Sequence, residues 1–324
     1  MGFPNLARIT LGKCRLVWPI GRTMSEQHGH EFSTVLQVLS KARARLRRAG
    51  VEDPELNAEL LLGKVLGCDR AKLAARSGEP LEPGPRQMVR ALVDRRARRE
   101  PLQYLLGEWE FCGRRFTVTP AVMVPRQETE LLVEKCLERI PARGPTWAVD
   151  IGTGSGVVAV TLAAERPELR AVATDASQAA LEVAALNGRR HGVQERIAFK
   201  QGDLCRPVAG GLPAGRKGVE MVASNPPYVP TDRIEALEAE IRDHEPRDAL
   251  DGGPDGLDVV RRLVPEAAGI LLPAGWLVLE LGEGQAPAVR ALIAATGAFD
   301  TDTFETTTDA GGCERVLCVR RRAT

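Results

Sequence analysis

Apolar and polar residues in the first third of the chain recur with the period of α-helices. Between residues 33 and 99, apolar side chains return about every three or four positions, with Arg and Lys between them. Gly50 and Gly67 stand where the first two helices would end, and Asp53-Pro54 is typical of an N-cap followed by proline in the first turn. The pattern predicts a helical N-terminal domain over residues 32–100. The predicted apolar faces include Val35, Leu36, Leu39, Ala42 and Leu46 in the first helix and Met88, Leu92 and Val93 in the last.

The next segment, residues 101–124, has a strand-like character. Phe111 and Phe116 are strand-forming residues, and Gly113 between them suits a tight turn. The segment is therefore predicted to be a β-hairpin linker between the helical domain and the rest of the chain.

From residue 125 to residue 324, short apolar runs alternate with helix-like segments. Strands separated by helices are typical of a parallel sheet covered on both faces, so the predicted fold class is α/β. The strand-like runs are Trp147–Val149, Ala171–Thr174, Ile197–Lys200, Met221–Ser224 and Trp276–Leu281. Two further runs, Asp302–Thr307 and Arg315–Val319, flank Ala310-Gly311-Gly312 and predict a terminal antiparallel pair.

Length and charge narrow the class of protein. A chain of 324 residues is longer than one hydrophobic core usually serves, which favours two domains. Lys plus Arg total 44 against 43 Asp plus Glu, whereas proteins that bind long nucleic acids through phosphates usually carry a basic surplus. No apolar run reaches the roughly 18 residues of a membrane span. We therefore expect a cytoplasmic protein without direct nucleic-acid or membrane contacts.

Cysteine and histidine give no sign of a metal centre. The 7 cysteines contain no CxxC pair, and the 4 histidines form no cluster with them. Free thiols in a reducing compartment and no bound metal are the expectation.

Residues 1–31 lack the compact apolar stretch and the small-residue cleavage site of a signal peptide. Met24 precedes Ser25-Glu26-Gln27, and the helical pattern begins soon afterwards. We expect this segment to be a disordered or mis-assigned extension with Met24 as the true start. An arginine-rich organellar presequence is the alternative.

A glycine-rich loop follows the first strand of the α/β region. Gly152-Thr153-Gly154-Ser155-Gly156 leads into a helix whose first amide groups are free to bind a ligand. The spacing alone also suits a dinucleotide, although the third glycine comes one residue earlier than in the usual dinucleotide pattern. Asp175 ends the next strand, where a carboxylate can accept hydrogen bonds from ribose hydroxyls. Asp203 and Leu204 follow the third strand and are placed to contact an adenine ring.

The most specific motif is Ser224-Asn225-Pro226-Pro227-Tyr228, directly after the fourth strand. Two consecutive prolines fix two φ angles and keep Asn225 out of helical conformation, which makes the end of the strand rigid. The Asn225 side-chain oxygen and the Pro226 carbonyl can each accept one N–H of a planar NH2 group, and Tyr228 can pack against it. Such preplaced acceptors stabilise the positive charge that develops when an amide nitrogen is methylated. Asn225, Pro226 and Tyr228 are therefore the predicted catalytic residues.

The combined motifs resemble the HemK-type protein-(glutamine-N5) methyltransferases that modify release factors. Beside the glycine loop and Ser224–Tyr228, the resemblance rests on motifs near the domain junction, before the glycine loop and near the C-terminus. These are Arg99-Glu100-Pro101-Leu102-Gln103-Tyr104, Val124-Pro125-Arg126-Gln127-Glu128-Thr129-Glu130, His244-Glu245-Pro246-Arg247, Asp309 and Arg315.

The resemblance implies a seven-stranded, Rossmann-like domain that uses S-adenosylmethionine and has an antiparallel last strand. Its substrate would be the glutamine in the Gly-Gly-Gln motif of a peptide chain release factor, recognised partly by the N-terminal helices. The implied cofactor contacts are Gly152 to Gly156, Asp175, Asp203, Leu204 and Asn225. The implied substrate contacts are Pro125, Arg126, Glu128, Thr129, Asn225, Pro226, Pro227 and Tyr228. Gln127 stands where many members of the family carry proline.

Three other functions share some of these features. DNA amino-methyltransferases use a similar turn, with Asn or Asp before Pro-Pro-aromatic, but this chain has little inserted sequence for target recognition and almost no net charge. A sister enzyme acting on a ribosomal-protein glutamine would share both turn and fold. A non-catalytic binding module is disfavoured by the intact motifs. We expect the protein to act on release factors as a monomer.

Overall fold

The structure is a computed structural model that describes residues 33–212 and 215–323. The predictions for residues 1–31, including Met24 as the start, lie outside the described residues. In the described part of the chain, no helix is both long and apolar enough to cross a membrane.

The N-terminal block consists of short helices around an apolar core of their own. The helices are α1 (Val35–Arg48), α2 (Pro54–Leu66), α3 (Arg70–Ala75), α4 (Pro83–Arg96) and α5 (Leu102–Leu106). Their fully buried side chains include Leu46, Leu61, Leu62 and Leu73. Although α5 follows Pro101 and lies within the segment 101–124, it packs into this helical core through Leu102 and Leu105.

The predicted apolar faces of this block were wrong at two positions. Leu36 and Met88 are 54% and 58% exposed, because each lies beside the buried stripe of its helix rather than on it; Val38 and Val89 occupy the buried positions. Asp53 occupies the N-cap position of α2 and Pro54 follows in the first turn, as predicted, but Asp53 has a left-handed φ of 46° and its side chain makes no capping hydrogen bond.

The predicted hairpin is confirmed. Strands β1 (Glu108–Phe111) and β2 (Arg114–Thr117) pair antiparallel, and the turn between them is Cys112-Gly113, both with positive φ. Phe111 and Phe116 meet edge to face with ring centroids 5.9 Å apart. Both rings belong to an apolar core shared with the α/β domain. The two rings of the hairpin therefore pack on the α/β domain, while Trp109 of β1 packs in a small cluster with Tyr104 of α5.

The C-terminal part is a seven-stranded sheet with the order β5-β4-β3-β6-β7-β9-β8. Its strands are β3 (Thr146–Ile151), β4 (Leu169–Asp175), β5 (Ile197–Gln201), β6 (Val219–Ser224), β7 (Leu271–Glu280), β8 (Phe299–Thr308) and β9 (Glu314–Arg321). Strands β3 to β7 are parallel, whereas β9 runs antiparallel between β7 and β8. The predicted α/β class, the seven strands and the antiparallel last strand are confirmed.

Helices cover both faces of this sheet. They are α6 (Glu128–Arg139), α7 (Val157–Glu165), α8 (Gln178–Arg190), α9 (Arg206–Ala209), α10 (Ala239–Arg242), α11 (Asp258–Ile270) and α12 (Ala286–Ala295). Val149 and Ile151 of β3 point to the core formed with α11 and α12, while Ala148 points to the core formed with α6 and α7. The alternation along β3 thus fills two apolar layers, as a parallel sheet inside an α/β domain requires.

One cluster of ionic contacts joins the helical block to the α/β domain. Arg96 of α4 donates to Glu240 of α10 at 2.8 Å and to Asn57 of α2 at 2.7 Å. Arg99 donates to the other oxygen of Glu240 at 2.8 Å. Burial opposes the charged form of Glu240, but the two arginines prevail and lower the pKa of its carboxyl. Glu240 is therefore held ionised between the two domains.

We expect Glu240→Ala to destabilise the protein. Removing one partner of a fully buried ion pair costs about 3–5 kcal/mol. Because the side chains of Arg99 and Glu240 are 27% and 14% exposed, we expect a loss of about 2 kcal/mol. This is measured as the free energy of unfolding in urea, with the exposed neighbour Glu238→Ala as control. Since the pKa of Glu240 is lowered on folding, the difference between wild type and variant should shrink as the pH falls through the pKa of a carboxyl group. A difference that persists unchanged in acid would contradict an ionic origin.

Candidate active site

The carboxyl ends of β3, β4 and β6 meet at a cavity of about 590 Å³. This is the edge at which open α/β sheets bind ligands. Of the predicted site residues, all line this cavity except Gly156, Arg126, Glu128 and Tyr228. The structure therefore gathers most of the predicted site in one place.

The glycine loop turns sharply out of β3. Gly152, Gly154 and Gly156 have φ values of 69°, 53° and 82°, a left-handed conformation that favours glycine. A Cβ on Gly154 would meet no atom within 4 Å, so this part of the loop faces open space. A Cβ on Gly156 would lie 2.9 Å from the Cβ of Ala184 in α8. The absence of a side chain at Gly156 thus allows the loop to pack closely against α8, while Gly152 and Gly154 line the cavity.

Two buried side chains that the sequence analysis did not identify hold this loop. Asp150 accepts hydrogen bonds from Thr153 Oγ1 at 2.6 Å and from the Ala159 amide at 3.1 Å. Burial raises the pKa of its carboxyl to about 6 despite these bonds. Asn187 of α8 donates to the carbonyl of Ser155 at 2.8 Å and to the hairpin carbonyl of Thr117 at 3.0 Å. An acid at the end of an apolar strand was the available signal for Asp150, whereas nothing local distinguishes Asn187.

Asp175 lies at the end of β4 and reaches across to the loop. Its carboxylate accepts from the Gly154 amide and from the Ser177 amide, each at 2.9 Å. Burial raises the pKa of this carboxyl, against the lowering effect of the backbone N–H groups. Asp175 lines the cavity, and each of its carboxylate oxygens can accept a further hydrogen bond.

Asp203 and Leu204 follow β5 at the far end of the cavity. Asp203 forms an ion pair with Arg262 of α11, which also lines the cavity. Leu204 has a left-handed φ of 50°, and its carbonyl accepts from Thr174 Oγ1 at 3.1 Å. The sequence analysis missed Arg262, because its helix lies about sixty residues further along the chain.

The Asn-Pro-Pro-Tyr turn continues β6 into the cavity. The Ser224 hydroxyl donates to the Ile151 carbonyl at 2.8 Å, which ties the turn to the strand that carries the glycine loop. The Asn225 side-chain nitrogen donates to Thr129 Oγ1 at 3.1 Å. Its side-chain oxygen is thereby left available as an acceptor.

Tyr228 takes a different place from the other residues of the turn. It does not line the cavity, and burial beside Glu280 raises the pKa of its phenol to about 12. Its carbonyl accepts from Gln285 Nε2 at 3.0 Å, and Gln285 Oε1 accepts from the Gly282 amide at 2.9 Å. The Gln285 side chain therefore links the turn to the segment after β7 and stabilises it. The sequence analysis did not anticipate this contact.

The segment before α6 forms one wall of the site. Pro125 and buried Thr129 line the cavity, whereas Arg126 forms an ion pair with Glu245. Burial raises the pKa of Glu245, with Arg126 acting against this shift. Glu128 faces a neighbouring groove on the surface of α6. Arg126 and Glu245 thus hold the wall in place rather than facing the cavity.

No group of His, Cys, Asp and Glu in residues 33–212 and 215–323 is arranged to hold a metal ion. The cysteines of this part that form no disulfide are Cys68, Cys112, Cys136, Cys205, Cys313 and Cys318.

The sheet order, the glycine loop and the Asn-Pro-Pro-Tyr turn together define a Rossmann-like methyltransferase. Comparisons with known proteins agree with this class. The family model "PrmC N-terminal domain" matches residues 37–107, and "Methyltransferase small domain" matches residues 127–242.

Full-length relatives identify the particular family. The chain is 44% identical to the release factor glutamine methyltransferase of Geobacter sulfurreducens over 89% of this chain and 96% of that protein. It is also 44% identical to the one from Moorella thermoacetica, over 89% of this chain and 99% of that protein. The chain belongs to the release factor glutamine methyltransferase family. The predicted family and enzyme class are confirmed, and S-adenosylmethionine is the methyl donor that this class implies.

Among solved structures, a ribosomal protein L11 methylase from Lactobacillus delbrueckii subsp. bulgaricus overlaps 63% of this chain and 84% of its own. It has a TM-score of 0.45 and 18% identity.

Proposed function

We propose that this protein methylates the side-chain amide nitrogen of the glutamine in the Gly-Gly-Gln motif of peptide chain release factors, with S-adenosylmethionine as methyl donor. One observation carries the proposal. Asn225, at the end of β6, lines the same cavity as the glycine loop while Thr129 accepts a hydrogen bond from its side-chain nitrogen. An oxygen acceptor thus stands next to a nucleotide-type loop. Membership of the family gives the proposal its substrate.

The residues around the cavity fit the cofactor. Gly152 and Gly154 bring backbone into the cavity without side chains, as close approach to a ligand requires. Asp175 offers a carboxylate for the ribose hydroxyls, and Leu204 offers an apolar surface for the adenine ring. Asp203 is the acceptor for the adenine amino group. The Arg262 side chain, which is paired with Asp203, must shift to make room for the adenine ring. Gly156 acts on the shape of the loop through its contact with Ala184.

The Asn-Pro-Pro-Tyr turn prepares the substrate nitrogen. When bound, the cofactor supplies an electrophilic methyl group on a sulfonium. The amide nitrogen is a poor nucleophile because its lone pair is delocalised into the carbonyl group. The Asn225 oxygen and the Pro226 carbonyl accept its two N–H groups, orient the nitrogen and stabilise the positive charge that develops on it. Pro227 keeps the turn rigid, and Tyr228 supports it near Gln285.

The remaining predicted substrate contacts and the helical domain bind and orient the release factor. Pro125 and Thr129 form the wall against which the substrate loop lies, with Arg126 and Glu128 at its edge. The N-terminal helical domain, joined to the α/β domain through Glu240, recognises the body of the release factor. The enzyme acts as a monomer in the cytoplasm and makes no direct contact with nucleic acid.

The test is a methylation assay with purified components. The protein is incubated with labelled S-adenosylmethionine and a bacterial release factor produced without prior methylation, and the modified peptide is mapped by mass spectrometry. One methyl group on the Gly-Gly-Gln glutamine is expected, and none on a release factor with alanine at that position. Methylation of plasmid DNA or of a ribosomal-protein glutamine in parallel reactions, without methylation of the release factor, would overturn the proposal.

A further inference from the structure

A buried carboxyl group behind the Asn-Pro-Pro-Tyr turn has no function in the mechanism above. Glu280 ends β7 and is only 1% exposed. Neither carboxyl oxygen has a hydrogen-bond partner of normal length and angle among the described residues, although the side chains of Thr129 and Asn225 lie next to the carboxyl group. Burying such a group without a partner is costly, and an apolar residue in its place would cost less. A residue that is this unfavourable for folding points to a use in the site.

The surroundings of Glu280 come from several elements. Thr129 of α6 and Asn225 lie close enough to lower the pKa of its carboxyl, and Arg315 of β9 does the same from a distance. Glu128 acts in the opposite sense, and the phenol of Tyr228 is a further neighbour. Burial outweighs the lowering effects and raises the pKa of Glu280 to about 7. Arg315 is itself paired with Asp309 at 2.7 Å, so it does not neutralise Glu280 directly.

We propose that Glu280 is a positioning residue that fixes the orientation of the Asn225 side-chain amide through the Thr129 hydroxyl. This inference rests on the proposed function of Asn225. A hydroxyl group has one hydrogen to donate. When that hydrogen goes to the Glu280 carboxylate, Thr129 Oγ1 can only accept from Asn225, and the amide must turn its nitrogen towards Thr129. The observed bond from Asn225 Nδ2 to Thr129 Oγ1 at 3.1 Å has this direction.

The consequence for the substrate follows from the symmetry of an amide. The oxygen and nitrogen ends of an asparagine have almost the same shape, so packing alone does not choose between them. In the flipped orientation, Asn225 would present N–H donors to a substrate NH2 group, which also donates. The Glu280 carboxylate removes that orientation. It also strengthens Asn225 as an acceptor, because hydrogen bonds in a chain polarise one another.

The test compares Glu280→Gln with wild type, using an unmethylated release factor as substrate. The glutamine has the same shape, but its NH2 end can donate to Thr129 and release the hydroxyl hydrogen towards Asn225. We expect kcat to fall roughly 10- to 100-fold, as for a misplaced catalytic group. The KM for the release factor and the affinity for S-adenosylhomocysteine should stay close to wild type. The melting temperature should be unchanged or higher, since a neutral amide is less costly to bury.

The pH profile gives a readout that a purely structural role would not change. Protonated Glu280 can donate to Thr129 Oγ1 and free the hydroxyl hydrogen for Asn225, whereas ionised Glu280 can only accept. Wild-type kcat should therefore rise as the pH passes upward through about 7. Glu280→Gln should lack this rise. Thr129→Val should lose activity to a similar extent, whereas Thr129→Ser, which keeps the hydroxyl, should restore most of it. Glu283→Gln, an exposed neighbour on the same turn, is the matched control.

A measurement without substrate separates this inference from the proposed function. The side-chain NH2 resonances of Asn225, assigned by their loss in Asn225→Ala, should exchange slowly with solvent in wild type and faster in Glu280→Gln. Unchanged exchange, or a kcat within twofold of wild type, would overturn the role of Glu280. A lowered melting temperature with a proportional loss of cofactor affinity would do so as well. If wild type leaves the release factor unmodified but Asn225 exchange still depends on Glu280, the proposed substrate is wrong and the positioning role stands.

Discussion

Asn225→Ala is expected to lower kcat for methyl transfer roughly 10²- to 10³-fold, the loss typical of removing one preplaced group that stabilises developing charge. The variant removes the side-chain oxygen that, in the proposed mechanism, accepts an N–H of the substrate amide. It also leaves Thr129 Oγ1 without the nitrogen that donates to it at 3.1 Å. Pro226 keeps its carbonyl, so some orientation of the substrate nitrogen remains. The loss should therefore appear in kcat rather than in cofactor binding.

The measurement is steady-state kinetics with the release factor, combined with calorimetry of S-adenosylhomocysteine. Asn225→Gln serves as the control for position, because it keeps the amide but moves it by one methylene group. It should be nearly as inactive as the alanine variant, since reacting groups must be placed to within about 1 Å. A kcat near the wild-type value in Asn225→Ala would refute the catalytic assignment.

Asp175→Ala should weaken cofactor binding by roughly 10- to 100-fold, because hydrogen bonds to a charged group contribute about 1.5–3 kcal/mol. The Asp175 carboxylate serves two purposes in the site. It accepts the Gly154 and Ser177 amides at 2.9 Å and so shapes the glycine loop. In the proposed function, it also accepts hydrogen bonds from the ribose hydroxyls of the cofactor.

Calorimetry with S-adenosylhomocysteine measures the affinity, and kinetics at saturating cofactor measure what remains of kcat. Asp175→Asn retains one acceptor oxygen and should lie between wild type and the alanine variant. At saturating cofactor, kcat of Asp175→Ala should stay within a few-fold of wild type. An equal loss of cofactor affinity in Asp175→Ala and Asn225→Ala would contradict the separate roles assigned to the two residues.

Local features of the fold could be predicted where the signal is local. Met221–Ser224 was predicted as a strand and lies inside β6, and the Cys112-Gly113 turn of the hairpin follows from a glycine between two aromatic residues. Strand lengths were less accurate. Trp276–Leu281 was predicted where β7 begins at Leu271, because Pro273 and Gly275 interrupt the apolar pattern. The structure accommodates them by a shift of register between β6 and β7.

Most of the site residues predicted from the sequence line one cavity; the sequence could indicate them because glycines and prolines restrict the backbone over a few positions. The residues that were missed act over long distances along the chain. Arg262 pairs with Asp203, and Glu280 lies behind Asn225; neither belongs to a local pattern that includes its partner. The sequence also does not show which acidic side chains are buried. An acid that ends an apolar strand gives the same pattern whether or not its carboxyl group has a hydrogen-bond partner.

By itself, the sequence determined the α/β class, the glycine loop, the rigid turn after β6 and the family resemblance, because each depends on residues within a few positions of one another. Only the tertiary structure decided that Thr129 meets Asn225 across 96 positions and that Arg96 meets Glu240 across 144. It also decided that β9 lies between β7 and β8. Such contacts depend on which surfaces the packed core brings together, and a linear pattern of apolar and polar residues specifies the buried faces but not their partners.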